Sequence, residues 1–504
     1  MKNLGLFISC LFLKLTIGMS QEKPNIIFLM ADDQASYTLG CYGNKDVKTP
    51  NIDNLSDKGL TFDHHYATTA ICMASRATIM TGLVEYRTGT NFLHGPMKKE
   101  TWNNSYPVLL KKSGYRTAFA GKFGFDVQDH IEGKKDKKIL VNSFDVWAGA
   151  AGQSSYDTEK NKALEKYKEK YPHSTLAYGA FGSDFIIESV AKKEPFCLSI
   201  SYKAPHRPAT PDPRFNDVYS NVKFKKPDNY GRIHGEHFSK QSKQGRQYPR
   251  FYEWHYNDKY DQVMATYHQQ VYGIDQSVGM ILDALKESGA DKNTVIIYTS
   301  DNGYFCGSHG YGSKVLPYEE SSKVPLIIYD PRHSNSHKGI RSNALTANID
   351  IAPTILALAG IEMTNRIDGK NIISLYNDPK KEIHKTIPLI NVWGPSETHS
   401  LSIVSKNHKY IYWGYASEGY KATEELYNLK NDPLELQNMV NKSDKELTVL
   451  RNSYDAQIEK WKELAVTYNN YERYSVLFDR SLTWNQKASL AFNLEAKKTK
   501  KTKK

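Results

Sequence analysis

Cys72 and Arg76 lie four residues apart in ICMASRATIMTG (71–82), with Ser75 between them. A thiol in that setting is either a small buried hydrophobe or a nucleophile, or the precursor of one. Two further pairs bear on the choice. Asp32 and Asp33 close the apolar run KPNIIFLMADDQ, and Asp301 and Asn302 close NTVIIYTSDNG. Either pair alone reads as a turn. Four hard oxygen donors at two strand ends make a divalent-cation site, for Ca²⁺ or Mg²⁺, with coordination places left for a substrate. Cations follow apolar runs in the same way. Lys122 stands in AGKFG, Lys203 and His206 in YKAPHRP, and His309 and Lys314 in DNGYFCGSHGYGSK. Singly these are surface groups. Grouped with Arg76 they would surround a tetrahedral anion and stabilise charge on a phosphoryl or sulfuryl group in transfer.

The elements that must position these residues are strands alternating with helices. The spacing predicts a buried strand over 25–30, a helix then a strand within 49–67, and a helix beginning in SRATIMTG with Ser75 as its cap. It predicts a helix over 108–112, strands over 117–120 and within 195–208, a helix over 260–288 stopped by Gly289, and one over 352–359. This alternation argues for a doubly wound α/β domain, in which ligands bind outside the C-terminal ends of the strands. From about residue 375 the texture changes. IPLINVW, LSIVS and HKYIYWGY suggest a small antiparallel sheet, with a late helix over 454–468. Segments 125–190 and 209–260 are polar, aromatic and irregular, and read as insertions over a site.

The chain has 504 residues, 39% of them apolar and 24% charged, as in globular proteins. Residues 1–20 read as a signal peptide: Lys2, an apolar stretch broken by Lys14, and a small-residue cleavage site before Gln21. The stretch is too short for a stable membrane span. The expected location is outside the cytoplasm: the periplasm first, with secretion or the cell surface as alternatives. Cys10 leaves with the leader, and Cys41, Cys72, Cys197 and Cys306 allow two disulfides in an exported chain, or one if Cys72 is chemically consumed. Of the formal charge of +12, six positives belong to the closing KKTKKTKK and two to the leader. The mildly basic body fits an anionic substrate; no nucleic-acid-binding motif is present.

Taken in order, the motifs resemble the type I sulfatases of the alkaline phosphatase superfamily. The resemblance runs from Asn25 to roughly Asn441. NIIFLMADDQ is similar to the family's opening strand and acid pair, and ICMASRATIMTG to its C-x-P-x-R or C-x-A-x-R signature. AGKFG, APHRP, SDNG, GSK and NIDIAPTILALAGI are similar to its later motifs, and ELYNLKNDPLELQNM to its closing one. The resemblance implies a large mixed, mostly parallel sheet flanked by helices, with a smaller C-terminal domain of antiparallel sheet and helix. It divides the chain into a catalytic domain over 21–375, an α+β subdomain over 376–480, and a helical, lysine-rich tail over 481–504.

The resemblance also implies chemistry. Cys72 would be converted by a maturation enzyme to formylglycine, whose hydrate attacks sulfur and then expels sulfate. Asp32, Asp33, Asp301 and Asn302 would hold Ca²⁺ beside the modified Cys72. Arg76 would orient the diol, Lys122, His206 and Lys314 would bind sulfate oxygens, and His206 or Lys314 would protonate the departing alcohol. Ala74 stands where the commoner signature has proline, a form suited to the anaerobic radical-type maturase. Gly124 stands where many members carry histidine, which leaves His309 and His94 as candidate bases for the second step. The implied substrate is a sulfated carbohydrate, an algal polymer such as ulvan or carrageenan ahead of a glycosaminoglycan. The chain's 34 tyrosines serve stacking on sugars and packing equally well. Two other readings remain open: a phosphodiesterase or phosphonate hydrolase of the same superfamily, and a non-catalytic protein that binds sulfated glycans.

Overall fold

A computed structural model describes residues 23–129, 137–363, 367–442 and 444–491. The leader over 1–20, with Cys10, and the closing lysine run lie outside the described residues. Fourteen strands follow in chain order: β1 (Asn25–Ala31), β2 (Leu60–Tyr66), β3 (Met97–Lys98), β4 (Arg116–Lys122), β5 (Val127–Gln128), β6 (Val146–Ala150), β7 (Phe196–Ser201), β8 (Thr294–Ser300), β9 (Leu326–Tyr329), β10 (Ile340–Ala347), β11 (Thr386–Asn391), β12 (Ser400–Ser405), β13 (His408–Trp413) and β14 (Thr423–Asn428). Eight form one sheet in the order β10-β2-β9-β8-β1-β7-β4-β6. Only β9 runs antiparallel to its neighbours.

The apolar runs are continuous because both faces of this sheet are buried. In β1, Ile27, Leu29 and Ala31 enter one core while Ile26, Phe28 and Met30 enter the other. Helices Pro50–Lys58, Ser174–Ala191 and Tyr260–Ser288 cover the first face. Helices Cys72–Thr81, Tyr106–Lys112 and Ile351–Leu358 cover the second. Each fully buried Ile, Leu or Phe contributes about 1.5–3 kcal/mol. The small sheet, β11-β12-β13-β14, is antiparallel throughout and packs with the helix Asp444–Leu464 in a third core. No helix among the described residues is long and apolar enough to cross a membrane.

Three local expectations are corrected. The signature helix begins at Cys72, not Ser75, with Ile71 in extended conformation before it. Ser75 lies inside that helix because its hydroxyl is used elsewhere, donating to the Asp301 carbonyl. Segment 125–190 is not irregular throughout, since it holds β6 and the 18-residue helix Ser174–Ala191. That helix is apolar on nearly every side, so it shows no amphipathic stripe. The four described cysteines are all free thiols, Cys72, Cys197 and Cys306 being buried, so neither expected disulfide forms among them.

Candidate active site

Strands β8, β1, β7 and β4 are consecutive and parallel, so their C-terminal ends share one edge. Asp32 and Asp33 follow β1, Asp301 and Asn302 follow β8, His206 follows β7, and Lys122 ends β4. Cys72 arrives from the side as the first residue of its helix. Asp33 turns the chain at φ 70°, a left-handed conformation that Asp tolerates better than most residues. Its backbone N–H donates to Asp301 Oδ1 at 3.1 Å.

Asp32, Asp33, Cys72 and His206 each place one ligand atom within 4.8 Å of the others. Cys72 Sγ lies 3.4 Å from Asp32 Oδ1 and 2.6 Å from Lys314 Nζ. Lys122 Nζ donates to Asp32 Oδ2 at 2.6 Å, and Lys314 Nζ to Asp33 Oδ1. His206 Nε2 faces Asp33 Oδ2 at 3.8 Å, and Gln153 Nε2 lies 3.2 Å from His206 Nδ1. With the amide donating to Nδ1, the ring proton sits on Nε2. Arg76 is wholly buried beneath these groups. Its Nε pairs with Asp301 Oδ2 at 2.8 Å, and its Nη1 donates to the Lys122 carbonyl at 2.7 Å and to Ser201 Oγ. Asn302 Nδ2 donates to Asp33 Oδ1 at 2.8 Å.

Electrostatics follow from burial. Desolvation opposes ionisation of Asp32, but Lys122, His206, Arg76 and Lys314 overcome it and hold the carboxyl well below its ordinary range. Burial, followed by the Asp32 charge, pushes the Cys72 thiol up to about 12, against Lys122 and Lys314. An unmodified Cys72 is therefore a thiol, not a thiolate nucleophile, near neutral pH. Desolvation lowers the His206 pKa, with Asp32 and Asp33 opposing. The donors suit a hard divalent cation. Buried carboxylates crowd together, and Asn302 Oδ1 is buried with no hydrogen-bond partner among the described residues.

The structure thus gathers Asp32, Asp33, Cys72, Arg76, Lys122, His206, Asp301, Asn302 and Lys314. It does not bring His309 to Cys72. His309 Nε2 faces Asn229 at 2.9 Å and Glu320 at 3.6 Å, and Nδ1 meets the His234 carbonyl at 3.0 Å. His94 is bound to the Tyr474 hydroxyl at 3.0 Å, in the C-terminal core. Position 124 is itself accounted for. Gly124 has φ +92°, and a Cβ there would fall 2.6 Å from Arg76 Cδ. Gln153 and Ser201 contribute without any signal in the sequence. Val315, at φ 95°, carries strain of about 1–3 kcal/mol next to Lys314. Its packing against Ile71 and Ala74 holds it there.

Acids and cations at adjoining parallel strand ends, closing on one helix N-terminus, define a hydrolase of tetrahedral anionic esters. Residues 24–361 match the family model described as Sulfatase, and the chain belongs to that family. It is a sulfuric ester hydrolase. Residues 307–463 match the C-terminal region of N-sulphoglucosamine sulphohydrolase. The chain is 28% identical to an N-acetylglucosamine-6-O-sulfatase of Bacteroides thetaiotaomicron, over 84% of each chain. It is 25% identical to an ulvan-active sulfatase of Formosa agariphila, over 87% of this chain and 81% of that one. A solved structure of a protein in complex with its substrate, D-glucosamine-2-N,6-O-disulfate, superposes with TM-score 0.69 and 25% identity, covering 88% of this chain and 99% of that one.

Proposed function

We propose that the protein is an exported, periplasmic sulfatase that hydrolyses sulfate esters of a sulfated polysaccharide or its oligosaccharides, with formylglycine at Cys72 and Ca²⁺. The reading is carried by the convergence of Cys72 with two acids, two lysines and a histidine at one strand edge of a sulfatase-family chain. Relatives named for N-acetylglucosamine 6-O-sulfate and for ulvan support a sulfated glycan as substrate.

Asp32, Asp33, Asp301 and Asn302 would hold Ca²⁺, which would supply a Lewis acid, and formylglycine at Cys72 would supply the hydroxyl nucleophile. The chain's own side chains do the rest. Lys122 and Lys314 present fixed positive charge to the sulfate oxygens. His206, 27% exposed at the mouth, offers the Nε2 proton to the departing alcohol. Arg76 stays beneath and fixes Asp301 and the end of β4. A formylglycine-generating maturase is the required partner.

The test is the mass of the tryptic peptide spanning residues 59–76, from protein made in its native host. Conversion of CH₂SH to CHO lowers it by about 18 Da. Sulfate release from sulfated oligosaccharides should accompany that loss. A peptide of unmodified mass would sink the formylglycine mechanism.

A further inference from the structure

The catalytic cluster accounts for Arg76, yet three other arginines approach the same mouth without a carboxylate ion pair among the described residues. The Arg246 guanidinium lies 4.1 Å from the centre of the Trp393 ring. Those of Arg207 and Arg250 lie 4.6 and 4.3 Å from the centre of Trp254. Among the described residues, none of the three forms an ion pair with a carboxylate.

Packing ties them to the nucleophile. Trp393 packs against Ile71, Ala74 and Val315, which flank Cys72 and Lys314. Arg250 Nη1 donates to Ser313 Oγ at 3.0 Å, one residue before Lys314. Arg207 follows His206 directly. Arg246 and Trp393, with Lys243 and Gln247, line a cavity of about 560 Å³. Like charges this close repel. Desolvation, then Arg250, lowers the Arg246 pKa, while Cys72 and Asp33 pull the other way. Unpaired guanidiniums beside an aromatic face bind planar or tetrahedral anions and the sugar ring that bears them.

We propose that the Arg246–Trp393 cavity, with Arg250 beside it, is a second anion subsite that binds a sulfate or carboxylate carried by the substrate apart from the ester being cut. The inference rests on the glycan sulfatase reading and narrows it to glycans with a second anionic group on the same or an adjoining sugar. Trp393 holds the guanidinium by stacking, and Arg246 pairs with the anion.

The experiment measures kcat/KM for the matured full chain on three matched oligosaccharide sets. One carries a single sulfate, one adds a second sulfate, and one adds a uronate carboxylate. Ratios between sets are the readout, because they cancel differences in formylglycine content. The native protein should prefer one or both doubly anionic sets by about tenfold or more. Which set wins identifies the anion. Arg246→Ala should bring that ratio close to one, and Arg246→Lys should restore part of it. Arg246→Gln serves if the alanine variant misfolds. Equal rates on all three sets by the native protein, or an unchanged ratio in both the alanine and glutamine variants, would overturn the subsite. Absence of turnover on every set would overturn the glycan sulfatase reading instead.

Discussion

At the scale of single residues, Gly124 decides what chemistry the site can use. The resembled family often carries histidine there, and this chain cannot accept a side chain as the site now stands. The backbone is left-handed, and the new Cβ would press on Arg76 Cδ at 2.6 Å. Arg76 holds Asp301 at 2.8 Å, so the clash is relayed to the acid cluster. Gly124→Ala should therefore lose about 1–3 kcal/mol of stability, read as a lowered Tm, together with a fall in kcat. Gly124→His should behave no better, and a histidine variant with raised kcat would refute the packing argument. The acid pairs and Lys122 were legible in the sequence because each sits where an apolar run stops, and Cys72, Arg76 and Lys314 through the motifs of the resembled family. Gln153, Ser201, Arg246 and Trp393 were not. They reach the site across distant segments, and nothing in their local pattern separates them from surface residues. His309 had the right spacing and the wrong partners, which only the fold of the 303–318 loop reveals.

At the scale of elements, periodicity was a good guide where an element has two unlike sides and a poor one where it has none. The helix Tyr260–Ser288 was readable to its Gly289 stop, since its stripe alternates with solvent. The helix Ser174–Ala191, buried on most sides, was invisible. The long helix also stores a pH response. His268 is 2% exposed, lies 4.9 Å from Phe224 centre to centre, and has no hydrogen-bond partner at Nδ1 among the described residues. Burial lowers its pKa from 6.5 to about 3. The unfolded chain takes up a proton below 6.5 that the folded one refuses, so stability is present above 6.5 and drains as pH falls towards 3. His268→Leu removes that drain. Its stability relative to the native protein should rise by about 2 kcal/mol between pH 8 and pH 5. Urea melts at the two pH values measure this, and a pH-independent difference would show that His268 titrates normally.

At the scale of the whole molecule, the C-terminal sheet is bolted to the loop that carries Lys314. Lys409, in β13, is fully buried and lies 2.8 Å from Glu319 and 2.9 Å from Glu435. Glu319 opens the short helix Glu319–Ser322 at the end of the Lys314 loop, and its backbone N–H donates to Glu435 Oε2 at 2.8 Å. Burial pushes Glu435 up to about 7, with Lys409 opposing and Glu319 and Glu320 adding to the rise. Lys409 thus bridges two acids that would otherwise repel in a dry interior, with Lys323 a more distant partner of Glu319 at 3.8 Å. Lys409→Met keeps the volume and removes the charge. Breaking such a buried set from one side costs about 3–5 kcal/mol. The sign with pH is fixed. Without Lys409 the folded carboxylates bind protons more tightly than the unfolded ones do, so stability should recover as pH falls from 8 towards the ordinary glutamate range near 4.5. Lys409→Met with Glu435→Gln should recover part of the loss at pH 8, because one buried charge goes with its partner. Thermal melts of both variants at pH 8 and pH 5.5 test the scheme. Equal losses at the two pH values would mean that the two sheets are joined by packing alone and that Lys409 is a passenger in that interface.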